Sequence, residues 1–189
     1  MSQFDSEEIE KDAVRLVAGL MAGSARTAPK GRGIDAVKTA IIDGKDLENL
    51  AETMDSRAAA QPPYLEAAFK RDAETLRKSG CVLLVGVTGM PKAIEKALNC
   101  GACGYPTCGE LMKARGREGK DFYGPNCIFQ VLDLGIALGS AVSTARTLNI
   151  DNRMMFTVGA AARKLKLLDA DIIIGIPLSA TGKSPYFDR

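Results

Sequence analysis

Cys81-Val82-Leu83-Leu84-Val85-Gly86-Val87 is a continuous apolar run. A strand with one wet face alternates apolar and polar residues, whereas one covered on both faces stays apolar throughout. The run therefore predicts a buried strand in a central sheet. Gly80, just before it, closes a helix over residues 64–78 with Leu65, Ala68, Phe69 and Leu76 turned inward. Further back, Asp46 is placed to cap a helix reaching about Ala60, which Gln61-Pro62-Pro63 stops. Val37–Ile42 reads as a second strand, followed by an Asp43-Gly44 turn.

The outer parts follow the same logic. Residues 5–23 form an amphipathic helix capped by Ser6, with Glu8 and Glu10 in its first turns and Ile9, Ala13, Leu16, Val17 and Leu20 on one face. Residues 128–148 are apolar nearly all round, which predicts a buried helix. Its small residues (Gly135, Ala137, Gly139, Ser140, Ala141, Ser143, Ala145) suit close approach by another backbone or a flat ligand, and equally close core packing. Residues 157–167 make a short helix, and Asp171–Ile176 a last strand ended by Pro177. The tail, Leu178–Arg189, has no core pattern and is expected to need a partner surface. Loosely alternating strands and helices give α/β or α+β around one sheet.

With 189 residues, 46% hydrophobic and 25% charged, the chain fits a single domain, 1–189. A net charge of +2 is too mild to argue for nucleic acid. Asp133 and Arg146 interrupt the most apolar helix, so no membrane span is expected. An acidic start (Asp5, Glu7, Glu8, Glu10) is the reverse of a signal peptide and points to the cytoplasm. There is no His, no P-loop and no Rossmann glycine fingerprint, so acid–base chemistry would fall to carboxylates, Lys, Tyr or Cys.

Chemistry concentrates between the central strand and the long helix, where Cys100, Cys103, Cys108 and Cys127 are spaced C-x2-C-x4-C-x18-C. Thiolates suit zinc, copper(I) or iron–sulfur clusters, and the absence of His removes mixed Cys/His sites. Disulfides are the weakest reading without a signal peptide. Three ligands from one tight loop plus a remote fourth favour iron–sulfur over zinc, which prefers paired knuckles, though four thiols also suit zinc. Gly101, Gly104 and Gly109 each follow a cysteine, letting backbone N–H groups approach an anion. Cys81, at the head of the apolar run, reads as a packed thiol. Lys113, Arg115, Arg117 and Lys120 either dock an acidic redox partner or form a solvated face. Arg26, Lys30 and Arg32, three cations in seven residues beside two glycines, are a candidate phosphate loop or a solvated one.

Cys100-Gly101-Ala102-Cys103-Gly104-Tyr105-Pro106-Thr107-Cys108-Gly109-Glu110, a helical segment and Cys127 together resemble the small [4Fe-4S] domain at the start of the corrinoid iron–sulfur protein large subunit. The resemblance implies a [4Fe-4S] module over residues 98–128. It departs after the fourth cysteine, where such modules often have Pro and this chain has Ile128, with Pro125 two residues before Cys127.

The flanks resemble the nitroreductase family. Ala22-Gly23-Ser24-Ala25-Arg26-Thr27-Ala28-Pro29-Lys30-Gly31-Arg32-Gly33, then a strand and Asp46-Leu47-Glu48-Asn49-Leu50-Ala51, look like that family's start. Asp133-Leu134-Gly135-Ile136-Ala137, Leu148-Asn149-Ile150 and Ile172-Ile173-Ile174-Gly175-Ile176-Pro177 follow its later order. That resemblance implies an α+β fold with a nitroreductase-like central sheet flanked by helices. It also implies FMN at a homodimer interface and hydride from NAD(P)H. Arg26, Lys30 and Arg32 match the first loop, and Lys183 the C-terminal basic position, as flavin contacts. The family's N-terminal Arg-Ser-x-Arg element and its aromatic stretch after the Ala-Pro-Ser loop have no counterpart.

As a whole the chain is similar to the ferredoxin domain-containing family, a four-cysteine module set in a nitroreductase-like body. Three functions are weighed: a [4Fe-4S] electron-transfer protein with a redox partner protein; an FMN-dependent oxidoreductase using the cluster as relay; and a four-cysteine zinc interaction protein.

Overall fold

The computed structural model describes residues 4–187. In chain order the elements are α1 (Ser6–Thr27), β1 (Val37–Ile42), α2 (Gly44–Ala58), α3 (Pro63–Arg77), β2 (Cys81–Val87), α4 (Cys108–Ala114), β3 (Arg117–Glu118), β4 (Tyr123–Gly124), α5 (Ile128–Thr147), β5 (Asp151–Asn152), α6 (Phe156–Lys164) and β6 (Ile172–Ser179). The central sheet is antiparallel with order β1-β2-β6-β5, and β3 with β4 makes a small separate hairpin. Val37 pairs with Val87, and Cys81 pairs with Leu178.

The apolar run of β2 is explained by its position between two cores. Cys81, Leu83, Val85 and Val87 point to one side, among Val17, Met21, Leu134, Ala137 and Ala141 of α1 and α5. Val82 and Leu84 point to the other, among Leu50, Met54, Phe69, Leu76 and Val158 of α2, α3 and α6. Successive strand residues alternate faces, so a strand sandwiched by helix layers must be apolar at every position. Each fully buried Leu or Val contributes about 1.5–3 kcal/mol relative to exposure. Contact with the second helix layer is closest at α6, where Gly159 lies against the β6 backbone.

Asp46 lies in the first turn of α2 rather than capping it, since the helix starts at Gly44, and four further expectations need correction. Asp5, not Ser6, caps α1, its carboxylate accepting from Glu8 N–H at 3.0 Å. The buried stripe of α1 is Val14, Val17, Ala18, Met21 and Ala25, while Ile9, Leu16 and Leu20 face outward. Helix α5 is buried on one side only; Val131, Leu132 and Ile136 are exposed. Both helices carry two apolar faces, and periodicity alone does not say which one meets the sheet. By length and composition α5 also passes as a membrane span, with mean hydropathy 1.5, although here its inner side packs on α1 and the sheet.

The C-terminal part is the fourth. Strand β6 runs through Pro177, opposite Val82, to Ser179. A strand tolerates proline where the missing N–H faces no ladder acceptor. The tail is then tied to its own chain: buried Tyr186 shares a 2.8 Å hydrogen bond with Ser79, and the Arg153 guanidinium donates to Tyr186 O and lies over Phe187. Asp188 and Arg189 lie outside the described residues.

Candidate metal centre

The chain leaves β2 through a tightly held turn. Gly89 N–H donates to the Asp171 carboxylate at 2.7 Å, and Gly89 O accepts from Cys127 N–H at 2.8 Å. Cys127 is thereby fixed at the N-cap of the 20-residue α5, where its own carbonyl accepts from Gln130 N–H and Val131 N–H. The positive end of that helix dipole therefore lies at Cys127.

The other thiols are set by a loop of left-handed residues. Asn99, Gly101 and Gly104 have φ of 48°, 73° and 85°. Gly104 N–H closes a turn onto Gly101 O at 2.9 Å, and Asn99 Oδ1 accepts from Cys108 N–H at 2.8 Å. Thr107 then caps α4 with a reciprocal box: its hydroxyl accepts from Glu110 N–H, and the Glu110 carboxylate accepts from Thr107 N–H. Cys108 is the first residue of that helix.

Cys100, Cys108 and Cys127 line one cavity of about 170 Å³, walled also by Gly31, Arg32, Pro91, Lys92, Leu98 and Phe129. Cys103 is half-buried and off that wall. Among the described residues no three Cys, Asp or Glu side chains converge on one ion-sized point. A cavity of this size has room for more than one water, which needs about 30 Å³.

A second set of contacts pins the cysteine segment to the body. Arg115 pairs with Asp171, and Tyr123 N–H donates to Asp171 O at 3.1 Å. Arg57 pairs with Asp121. Arg163 donates to Asp121 O at 2.8 Å and lies 4.1 Å over the Tyr123 ring. Of the four cations read as a docking or solvated face, Arg115 is thus committed internally, while Lys113, Arg117 and Lys120 are exposed.

The remaining candidates are dispersed. The Lys30 ammonium is buried at the end of α1, donating to Ala25 O and Ala28 O and facing Asp35 at 3.7 Å. Arg26 bonds Val37 O at 2.7 Å and pairs with Asp35 at 3.1 Å. Of these three cations only Arg32 lines the cysteine cavity, held by Lys96 O at 2.8 Å. Lys183 lines a different cleft with Lys78 and Thr181. Cys81 is buried in the core, where desolvation pushes its thiol up to about 12.

Lys92 carries no motif, and Asp133 enters the sequence reading only as a break in the apolar helix and the head of Asp133-Leu134-Gly135-Ile136-Ala137, not as a site residue. They form an ion pair with both side chains only 4% exposed. A carboxylate inside an otherwise apolar helix is the signal that foretells such a pair, because a buried charge requires a partner.

Comparison with known proteins fits this architecture. Residues 123–189 match the family described as "uncharacterized protein containing a ferredoxin domain" (DUF2148), a stretch that includes Cys127 and not the other three cluster cysteines. An uncharacterized protein of Archaeoglobus fulgidus is 45% identical over 186 residues, 98% of this chain and 97% of its own length. Solved structures with the same fold include an FMN-bound nitroreductase from Desulfitobacterium hafniense (TM-score 0.56, 14% identity, 100% of this chain and 85% of that one). A BluB-like flavoprotein from Clostridium difficile matches with TM-score 0.54 and 15% identity, over 100% of this chain and 87% of that one. An FMN- and NADPH-dependent nitroreductase of a Sphingopyxis strain matches with TM-score 0.57 and 12% identity, over 90% and 81%. The fold is therefore nitroreductase-like, and the chain belongs to one family with the Archaeoglobus protein, its residues 123–189 matching the ferredoxin-domain family.

Proposed function

We propose that the protein is an iron–sulfur electron carrier whose [4Fe-4S] cluster is held by Cys100, Cys103, Cys108 and Cys127 in a module spanning residues 98–128. The observation that carries the reading is the cavity that three of these cysteines line, beside Lys92 and Arg32. Its size, its soft donors and its cations suit an anionic cluster better than a single zinc ion, around which four thiolates would converge at about 2.3 Å. Cys103, one turn from Cys100 on a glycine-hinged loop, is the fourth donor by spacing. A bound cluster supplies reversible one-electron transfer at a potential set by ligation, N–H donors and burial. The chain's part is to present thiolates, backbone donors and fixed positive charge. Anaerobic reconstitution with iron and sulfide tests this: the wild type develops cluster absorption and, on reduction, an EPR signal, and Cys108→Ala loses both. Undiminished cluster signal in Cys108→Ala removes that ligand from the set.

The outward faces of α1 and α5 support a homodimer. Leu16 and Leu20 of α1 and Leu132 and Ile136 of α5 are exposed on helices that pack side by side. Gly19, Gly23, Gly135 and Gly139 flatten the same faces, with nothing within 4 Å of where a Cβ would stand. An apolar surface of this kind marks an interaction site.

A flavin-linked oxidoreductase is the second reading, favoured by the FMN-bound relative of the same fold. Arg26, Lys30, Arg32 and Lys183 do not form one phosphate cradle here, since Asp35 and helix carbonyls occupy the first two and Lys183 lies in another cleft. Flavin uptake on incubation with FMN supports this reading, and none defeats it.

A further inference from the structure

Lys92 lines the cysteine cavity, and its ammonium is out of water. It donates to Gly31 O at 3.0 Å and Ile34 O at 2.8 Å, and pairs with Asp133. Asp133 in turn accepts from Gly31 N–H at 2.9 Å and is not on the cavity wall. The pair therefore stitches the Gly31–Ile34 loop to α5, but stitching does not require charge. Two carbonyls and one N–H are met equally well by neutral groups, and burying two ions is costly unless they serve something else. Their placement supplies that purpose: Lys92 lines the cavity that the cysteines share, and Asp133 does not.

We infer that Lys92 is a positioning residue that sets the reduction potential of the cluster site, with Asp133 as its counterweight. The inference rests on the cluster reading above. A fixed positive charge on the wall favours the more negative, reduced state, and low dielectric makes the effect large. Asp133 partly cancels it. Arg32, exposed at the same cavity, acts in the same direction but through solvent.

Redox titration of reconstituted protein, read by EPR, tests the inference through signs. Asp133→Asn keeps an acceptor for Gly31 N–H and leaves the ammonium uncompensated, so the midpoint potential shifts up. Lys92→Met shifts it down. Lys92→Met with Asp133→Asn shifts it down by less. In Arg32→Gln the downward shift shrinks in high salt, whereas the Lys92 and Asp133 shifts persist because that pair is buried. Should Lys92→Met fail to fold, Asp133→Asn and the double variant decide. Unchanged potentials, or shifts of one sign in Lys92→Met and Asp133→Asn alike, overturn the inference and leave a purely structural pair. A wild type that takes up no iron and sulfide instead overturns the cluster reading beneath it.

Discussion

Replacing Gly89 by alanine tests how the fold delivers Cys127. Gly89 does not have a positive φ, so alanine meets no backbone penalty and only space is at issue. The added Cβ would lie 1.7 Å from Asn126 Oδ1, 2.5 Å from its Cγ and 2.8 Å from its Cβ. Rotating the Asn126 side chain moves the first two atoms but not the third, so the backbone must give. That backbone is held by Cys127 N–H on Gly89 O at 2.8 Å and by Asn126 Nδ2 on Tyr123 O at 2.7 Å. Overpacking costs about 1–3 kcal/mol and a weakened hydrogen bond about 1 kcal/mol more. For a chain of this length, a loss of about 2–4 kcal/mol lowers the melting temperature by roughly 5–15 °C. The assay is thermal unfolding of the apoprotein by circular dichroism, with iron per chain measured after reconstitution. Both fall, because the residue that moves precedes a ligand. A variant that melts and loads like the wild type refutes the claim that the Gly89–Cys127 contact positions the site.

Other perturbations reach different parts of the account. Gly159→Ala puts a Cβ 1.7 Å from Ile173 O and 2.4 Å from its carbonyl carbon, both backbone, so α6 must leave the sheet at a cost of about 3 kcal/mol or more; melting reports it. In the apoprotein at pH 8 iodoacetamide modifies Cys100, Cys103 and Cys108 and spares Cys81 until the chain is unfolded, because burial holds that thiol near 12 and its thiolate is scarce; modification of Cys81 in the native apoprotein contradicts the packing. Burial also pushes the Tyr186 phenol up. Folded acids with raised values lend stability that is intact below the ordinary thiol value of 9.0 and declines as pH rises toward 12, by up to about 1.4 kcal/mol per pH unit per group, which alkaline melts measure. Leu16→Glu with Ile136→Glu converts a dimer to a monomer in sedimentation with little change in apoprotein circular dichroism; an unchanged sedimentation coefficient sinks that interface.

Much of the scaffold could be read from residue order. Val37–Ile42 and Cys81–Val87 are strands at the residues expected, because β-branched and apolar runs bounded by Gly and Asp have few alternatives. The helices were legible as helices, but the orientation of α1 and α5 was not. Leu16 and Leu20 follow a helical period as well as Val17 and Met21 do, and only the sheet's position decides between them. The loop cations are a second case. Three charges in seven residues look free in sequence, yet Asp35 and the end of α1 take two of them, through contacts that close only in three dimensions. The thiol spacing points to a candidate site, and around it the structure has what spacing omits: the cavity, the helix end at Cys127 and the Lys92–Asp133 pair.

The central claim is that the thiols hold an iron–sulfur cluster. Iron, acid-labile sulfide and zinc measured together on anaerobically purified protein test it most directly. The account predicts iron and sulfide at about four each per chain, with zinc absent. Stoichiometric zinc without sulfide would contradict it and leave a structural metal site on a nitroreductase-like fold.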